Sequence, residues 1–147
     1  MLLNLGANPE WKSKVIKELK VLVANHTDAL SQEPLHKRLA AIPLNAWEEE
    51  LIIVDLVIHE TLRISMCHVA APRRNIGKGI PLAGTIIQRG DFVIYPFADA
   101  HMNADIYTNP GKFDPGRFTK GKEEDKKAPF AYLAWGAGKF LCSWSIS

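Results

Sequence analysis

One apolar segment limits the folds that are open to this chain. Residues 51–64 are rich in leucine, isoleucine and valine, and on a helix their apolar side chains would cover most of the circumference. Such a helix has to lie inside a protein. We predict that it begins at Asn45, whose side chain can cap the first turn, with Glu48 three residues later as a capping-box partner.

The same helix carries two charges, Glu60 and Arg63, at a spacing that places them on one side of it. Burying an ion pair costs several kcal/mol per ion unless further hydrogen bonds offset the loss of water. A third partner is therefore expected, and Arg117 is the natural candidate because a planar guanidinium suits a buried carboxylate. Taken alone, Glu-x-x-Arg is most often a helix-surface pair, and Arg117 would be an ordinary loop arginine.

Other helix signals lie towards the amino terminus. Asn8 can cap a helix, Pro9 suits its first position, and Glu10 suits the positive end of its dipole. Apolar residues at helical spacing follow, and this helix should end near residues 25–26. A second, short helix is expected around residues 35–41.

The pattern changes after Pro72. Residues 86–87 and 92–95 are predicted to form two short strands joined by a turn. From 96 to 129 there is little periodicity, but the aromatic residues argue against simple disorder. The predicted fold class is mainly α with a small β-sheet.

Composition excludes several classes of protein. The 147 residues carry a formal net charge of +2, and three acidic residues interrupt the lysines of 120–127, so no nucleic-acid surface is indicated. No apolar run approaches the roughly 20 residues of a membrane span, and no signal peptide is recognisable. The two cysteines, Cys67 and Cys142, do not make a secreted disulfide framework.

The last segment combines two glycines with a cysteine in an apolar setting. Gly136 and Gly138 would let the backbone turn tightly and approach a flat ligand, and Cys142 ends the run. A phosphate-binding loop is disfavoured because Phe140 stands where serine or threonine is needed. A buried, inert cysteine is the usual alternative. A zinc site is disfavoured because the five histidines show no metal-ligand spacing.

Three motifs then occur in a telling order: Glu60-x-x-Arg63, Pro115-x-Arg117-Phe118, and an aromatic-Gly-x-Gly-x-x-x-Cys run from Trp135 to Cys142. Together they resemble the cytochrome P450 family, and the similarity is strongest to fungal members. The segments 8–11 and 94–107 also look like parts of that family. The resemblance extends over nearly the whole chain.

The resemblance implies a role for each of these residues. Cys142 would be the axial ligand of the iron of haem b, the only metal expected, with Trp135 beside it and Gly136 and Gly138 in the turn beneath the porphyrin. Arg73 would meet a haem propionate, with Arg74 a nearly equal alternative. Glu60, Arg63 and Arg117 would form a buried structural triad that holds the ligand loop.

The resemblance also implies a partial fold. The chain would be the C-terminal part of a single cytochrome P450 domain on the proximal side of the haem. Its expected parts are a helical region 1–64, a small β region 65–95, a meander 96–131, and a truncated haem-ligand loop 132–147.

The implied activity is that of a haem-thiolate monooxygenase, which inserts one oxygen atom from O2 into a lipophilic substrate using electrons from NADPH delivered by a reductase. The parent would lie at the endoplasmic reticulum membrane, facing the cytosol, although this chain has no membrane anchor. Phe140, Trp144 and the missing oxygen-activating helix depart from the family pattern. They leave an alternative, a truncated non-catalytic fragment that does not bind haem stably.

Overall fold

The computed structural model describes residues 1–28, 32–66 and 69–136. The chain forms two compact units, one made of Met1–Thr61 with Phe113–Lys122 and the other of Leu62–Lys112 with Glu123–Ser147, of which residues up to 136 are described. Helices predominate and the strands are few and short, which confirms the predicted class, mainly α with a small amount of β-sheet. The four predicted sequence regions do not coincide with these units, and they stay a prediction.

The first unit is helical. Its elements are α1 (Leu2–Ala7), α2 (Pro9–His26), α3 (Leu35–Ala40), α4 (Leu44–Glu49), the part of α5 (Ile52–Met66) up to Thr61, and a 3-10 helix (Pro115–Phe118).

Helix α2 begins and ends where the sequence predicts. Pro9 occupies its first turn together with Glu10, and the helix ends at His26. The predicted side-chain cap is wrong: Asn8 makes no capping hydrogen bond, and its amide donates to the carbonyl of Asn4 at 2.8 Å. That contact holds Asn8 against α1, which the sequence did not predict.

The buried apolar helix is shorter than predicted. The expected start at Asn45 is wrong, because α4 ends at Glu49 and α5 begins separately at Ile52. The side chain of Glu18, on α2, accepts hydrogen bonds from the N–H groups of Ile53 (2.7 Å) and Val54 (2.9 Å). A carboxylate at a helix N-terminus satisfies orphan donors and opposes the positive end of the dipole, so α5 is capped from another helix.

Two apolar clusters hold the helices of the first unit together. One joins α2 to α4 and to the residues beside it through four buried side chains: Leu22, Ile42, Ala46 and Leu51. The other joins α1, α2 and α5 through three: Leu5, Val15 and Val57. Leu19 of α2 and Val54 of α5 pack against both, so these two helices link the clusters.

The second unit contains two short antiparallel sheets. Strands β1 (Ala70–Arg74) and β4 (Phe92–Pro96) form one pair, and β2 (Ile80–Leu82) and β3 (Thr85–Ile87) form the other. The two strands predicted from sequence, at 86–87 and 92–95, are therefore present. The predicted turn joins them, with the N–H of Asp91 donating to the carbonyl of Gln88 at 3.2 Å, but each strand pairs with another one.

Asn75 organises the connection between these sheets. Its side chain is buried, and its amide donates to the carbonyls of Lys78 and Ile87, both at 2.9 Å. Its side-chain oxygen accepts the N–H of Gly77 at 2.9 Å. One buried amide thus fixes both ends of the β2–β3 hairpin.

The stretch after β4 is irregular but ordered. It contains α6 (Ala98–His101) and a second 3-10 helix (Glu124–Lys126). Tyr107 is fully buried in it, in keeping with the expectation that its aromatic residues argue against disorder. Among the residues that the structure describes, no helix combines the length and apolarity that a membrane crossing requires.

Candidate functional site

A buried ion pair forms part of the predicted triad. In the first unit, Nε of Arg117 donates to both carboxylate oxygens of Glu60, at 3.1 and 3.2 Å. Glu60 is 0% exposed and Arg117 is 1% exposed. The main-chain N–H of Asp114 adds a third donor to Glu60, at 3.0 Å. These hydrogen bonds are the offset that a buried carboxylate requires.

The loop around Arg117 is shaped to present the guanidinium. Asp114 caps the 3-10 helix Pro115–Phe118 by accepting the N–H of Gly116 at 3.0 Å. A Cβ at Gly116 would lie 2.9 Å from that carboxylate oxygen and 3.6 Å from the ring of Trp11. A side chain at this position would therefore have to displace the capping carboxylate of Asp114, a constraint that the sequence alone did not show.

Arg63 belongs to the second unit and is also 0% exposed. It donates to two main-chain carbonyls, from Nη1 to His101 and from Nη2 to Pro110 at 2.7 Å. Its guanidinium carbon lies 4.8 Å from the centre of the Tyr107 ring. The structure thus brings Glu60 and Arg117 into one pair and places Arg63 among carbonyls and an aromatic ring.

Only the first part of the predicted ligand loop is described. Trp135 is half-buried, and Gly136 has a φ of +86°, a backbone conformation that residues other than glycine rarely adopt. The N–H of Gly136 donates to the carbonyl of Leu133 at 2.9 Å and closes a turn. The predicted site residues Gly138 and Cys142 lie outside the described residues.

The two candidates for a propionate contact differ in their surroundings. Arg73 and Arg74 are neighbours on β1, so their side chains leave opposite faces of the strand. The Arg74 guanidinium lies 5.8 Å from the centre of the Phe92 ring. Arg73 is exposed, and its guanidinium donates to the carbonyl of Pro72 at 3.1 Å. Both side chains are exposed, so the propionate contact stays a prediction, with Arg74 as the alternative to Arg73.

Sequence reasoning missed His101. The imidazole is 0% exposed, and its Nε2 accepts the main-chain N–H of Leu133 at 2.9 Å. Burial is the main reason why the pKa of His101 is lowered to about 4; a hydrogen bond with the backbone of Arg63 opposes the shift, and the positive charge of Arg63 contributes to it. The residue is neutral at physiological pH. The only sequence signal was a histidine within an ordered, aromatic-rich coil.

Clustered metal ligands are not found in the described ranges 1–28, 32–66 and 69–136, where no group of three or more histidine, cysteine, aspartate or glutamate side chains is suited to hold an ion. A haem-thiolate centre draws one ligand from the protein at the thiolate side, so it does not require such a cluster.

Comparison with known families gives a match to the model described as Cytochrome P450, over residues 1–143. Among curated proteins, the chain is 31% identical over 144 residues to "Cytochrome P450 monooxygenase AacuE" of Aspergillus aculeatus, covering 97% of this chain and 28% of that protein. It is 33% identical over 135 residues to "Cytochrome P450 monooxygenase nsrP" of Aspergillus novofumigatus, covering 90% and 26%.

A solved structure, "Retinoic acid bound cyanobacterial CYP120A1", superposes on the chain with a TM-score of 0.66 at 28% identity. That superposition covers 95% of this chain and 28% of the solved one. The chain therefore spans a little over a quarter of the length of these relatives.

Proposed function

The chain belongs to the cytochrome P450 family, and from that premise we propose that Cys142 is the axial thiolate ligand of haem b in a monooxygenase. The observation that carries the proposal is the extent of the family match, which runs to residue 143 and so includes Cys142. When bound, a haem with a thiolate ligand supplies the activation of dioxygen, and the protein supplies ligation, orientation and exclusion of water.

The described residues before Cys142 fit a haem-ligand loop. Gly136 makes a turn with a backbone conformation that favours glycine, six residues ahead of the thiol. Trp135, half-buried, would lie beside the porphyrin, and Gly138 would continue the turn. Arg73 would donate to a propionate, because its exposed guanidinium makes only the hydrogen bond to Pro72 among the described residues.

The buried charges would brace this loop. The Glu60–Arg117 pair fixes the segment from Asp114 to Phe118 in the first unit. Arg63 would complete the triad by holding carbonyls of the second unit. None of the three is proposed to touch a substrate, so their role is structural.

The parent activity would be insertion of one oxygen atom from O2 into a lipophilic small molecule. Electrons would come from NADPH through a reductase, and the parent would lie on the cytosolic face of the endoplasmic reticulum. Family membership supports a reductase and lipophilic substrates in general terms, and it selects no particular substrate.

A second candidate is a polypeptide that keeps the family fold but does not hold haem stably by itself. Two observations favour it: the chain covers 28% of its relative from Aspergillus aculeatus, and large apolar side chains are exposed. Leu3 is 90% exposed, Leu2 79% and Leu44 72%. Apolar surface of this kind is usually covered by another part of a protein.

Haem reconstitution distinguishes the two candidates. The purified 147-residue chain is supplemented with haem, reduced without oxygen and exposed to carbon monoxide. Thiolate ligation gives a strongly red-shifted Soret band, which Cys142→Ala should abolish and the matched control Cys67→Ala should retain. If the unaltered chain gives no such band, the second candidate holds; if Cys142→Ala retains the band, the assignment of the ligand is wrong.

A further inference from the structure

His101 uses its one acceptor nitrogen on the main chain of another segment. Nε2 accepts the N–H of Leu133 at 2.9 Å, and both residues are buried. Since Nε2 is the acceptor, the proton of the neutral imidazole lies on Nδ1. The acceptor nitrogen of the ring is therefore directed at the main chain of Leu133.

The ring is held in place from several sides. The ring of Tyr132 lies 5.6 Å away between centres and that of Phe97 6.0 Å away. Arg63 donates to the carbonyl of His101 itself. Contacts other than the one with Leu133 therefore hold both the backbone and the imidazole of His101.

Tyr107 holds the same segment two residues earlier. Its hydroxyl donates to the carbonyl of Ala131 at 3.0 Å, and its ring packs under the guanidinium of Arg63. Ala131 is 1% exposed and Leu133 is 5% exposed. Buried main-chain groups seldom go without a partner, and here His101 and Tyr107 supply partners for the segment 131–133.

The held segment leads directly to the predicted ligand loop. The carbonyl of Leu133 accepts the N–H of Gly136 at 2.9 Å, which closes the turn at that glycine. We propose that His101 and Tyr107 are positioning residues for the proximal thiolate, because they fix 131–133, the segment that precedes Gly136 and, further along the sequence, Cys142. This inference rests on the proposed role of Cys142 as the haem ligand.

The contact with Leu133 sets two requirements on the side chain at position 101, and substitutions can test both. Position 101 needs an acceptor at the place of Nε2 and no charge. Glutamine can put its side-chain oxygen near that place, whereas leucine fills much of the space and leaves the N–H of Leu133 buried without a partner. At position 107, phenylalanine keeps the ring and removes only the hydroxyl.

Amide hydrogen exchange of the full 147-residue chain without haem tests the contacts. In His101→Leu, the amide of Leu133 should exchange about tenfold faster, as expected for the loss of one buried hydrogen bond. His101→Gln should restore most of the protection, and Tyr107→Phe should speed exchange in 131–133. His36→Leu, at an exposed histidine of the other unit, is the matched control and should change nothing there.

The carbon monoxide spectrum of the haem-supplemented chain tests the consequence for ligation. The share of haem in the thiolate-ligated form should fall in His101→Leu and Tyr107→Phe, while His101→Gln and His36→Leu should stay near the unaltered chain. Equal spectra in all four variants would overturn the inference. If the unaltered chain lacks the thiolate band, the proposed function fails instead, and the exchange experiment still decides whether the contacts exist.

If His101→Leu unfolds the chain, circular dichroism will show it. The decision then passes to His101→Gln and Tyr107→Phe, which keep size and shape. If Tyr107→Phe leaves both the exchange of 131–136 and the thiolate share unchanged, the inference is wrong.

Discussion

Nε of Arg117 lies 3.1 and 3.2 Å from the two carboxylate oxygens of Glu60, and both side chains are buried away from water. Removing one partner of such a pair leaves the other buried and uncompensated. The pair is therefore expected to be costly to break even though a well-packed apolar replacement of both partners can be neutral.

We expect Arg117→Ala to lower the free energy of unfolding by about 3–5 kcal/mol. Urea denaturation of the 147-residue chain measures it. The control is Lys122→Ala, whose exposed ammonium lies 3.9 Å from Asp114 and should contribute at most about 1 kcal/mol. A loss for Arg117→Ala no larger than that of the control would contradict the structural role of the pair.

Glu18 caps α5 through the N–H groups of Ile53 and Val54, so Glu18→Ala should lower the free energy of unfolding by about 1–2 kcal/mol. Glu18→Gln keeps an acceptor and should lose less. Glu10→Ala is the control, because that glutamate makes an exposed pair with Lys14 on the same helix. If both alanine variants have the same stability, α5 does not depend on this cap.

Acid should destabilise the second unit through His101. An unfolded histidine takes up its proton near pH 6.5, whereas burial lowers the pKa of His101 to about 4 in the fold. Between these values the unfolded state binds more protons, so the contribution is complete above pH 6.5 and is lost as the pH falls towards 4. At about 1.4 kcal/mol per pH unit, the total is about 3 kcal/mol.

The pH dependence of unfolding in the unaltered chain and in His101→Gln measures this effect by difference, because the carboxylates that titrate in the same range are common to both. The positive charge of Arg63, whose guanidinium donates to the carbonyl of His101, opposes protonation of the imidazole. Parallel pH profiles in the two proteins would show that His101 does not titrate with unfolding.

Gly136→Ala should lower the free energy of unfolding by about 1–2 kcal/mol, because an L side chain is strained at a φ of +86°. The matched control is Gly111→Ala, which has open space at its Cβ and no positive φ, and which should change stability by less than about 0.5 kcal/mol. In the haem-supplemented chain, the thiolate share should also fall for Gly136→Ala only. Equal effects at both glycines would argue against a special turn at 136.

The parts of this fold that the sequence predicts are those with local signals. Pro9 and Glu10 mark the start of α2, and the apolar run around Val57 requires burial of the helix that carries Glu60. Arg117 was predicted because a buried carboxylate needs donors, although the two residues are 57 positions apart.

The sequence did not predict contacts between distant segments where no buried charge requires a partner. Glu18 reaches Ile53 over 35 positions, and His101 reaches Leu133 over 32, and in each case the partner is a main-chain N–H that every residue except proline carries. The pairing of β1 with β4 is hidden for a similar reason, since Pro72 in the middle of β1 obscures the strand.

His101 and Tyr107 contact only main-chain atoms of residues 131 and 133, so these two hydrogen bonds do not depend on the side chains at those positions. The carbonyl of Ala131 accepts from Tyr107 and the N–H of Leu133 donates to His101, and both groups remain when the side chain is replaced, so substitution at 131 and 133 is limited only by the space around them. His101 and Tyr107 make these bonds with their side chains, so few substitutions there would preserve them. In a saturation library of this region, many apolar residues should therefore preserve the fold at positions 131 and 133, and few substitutions should do so at 101 and 107.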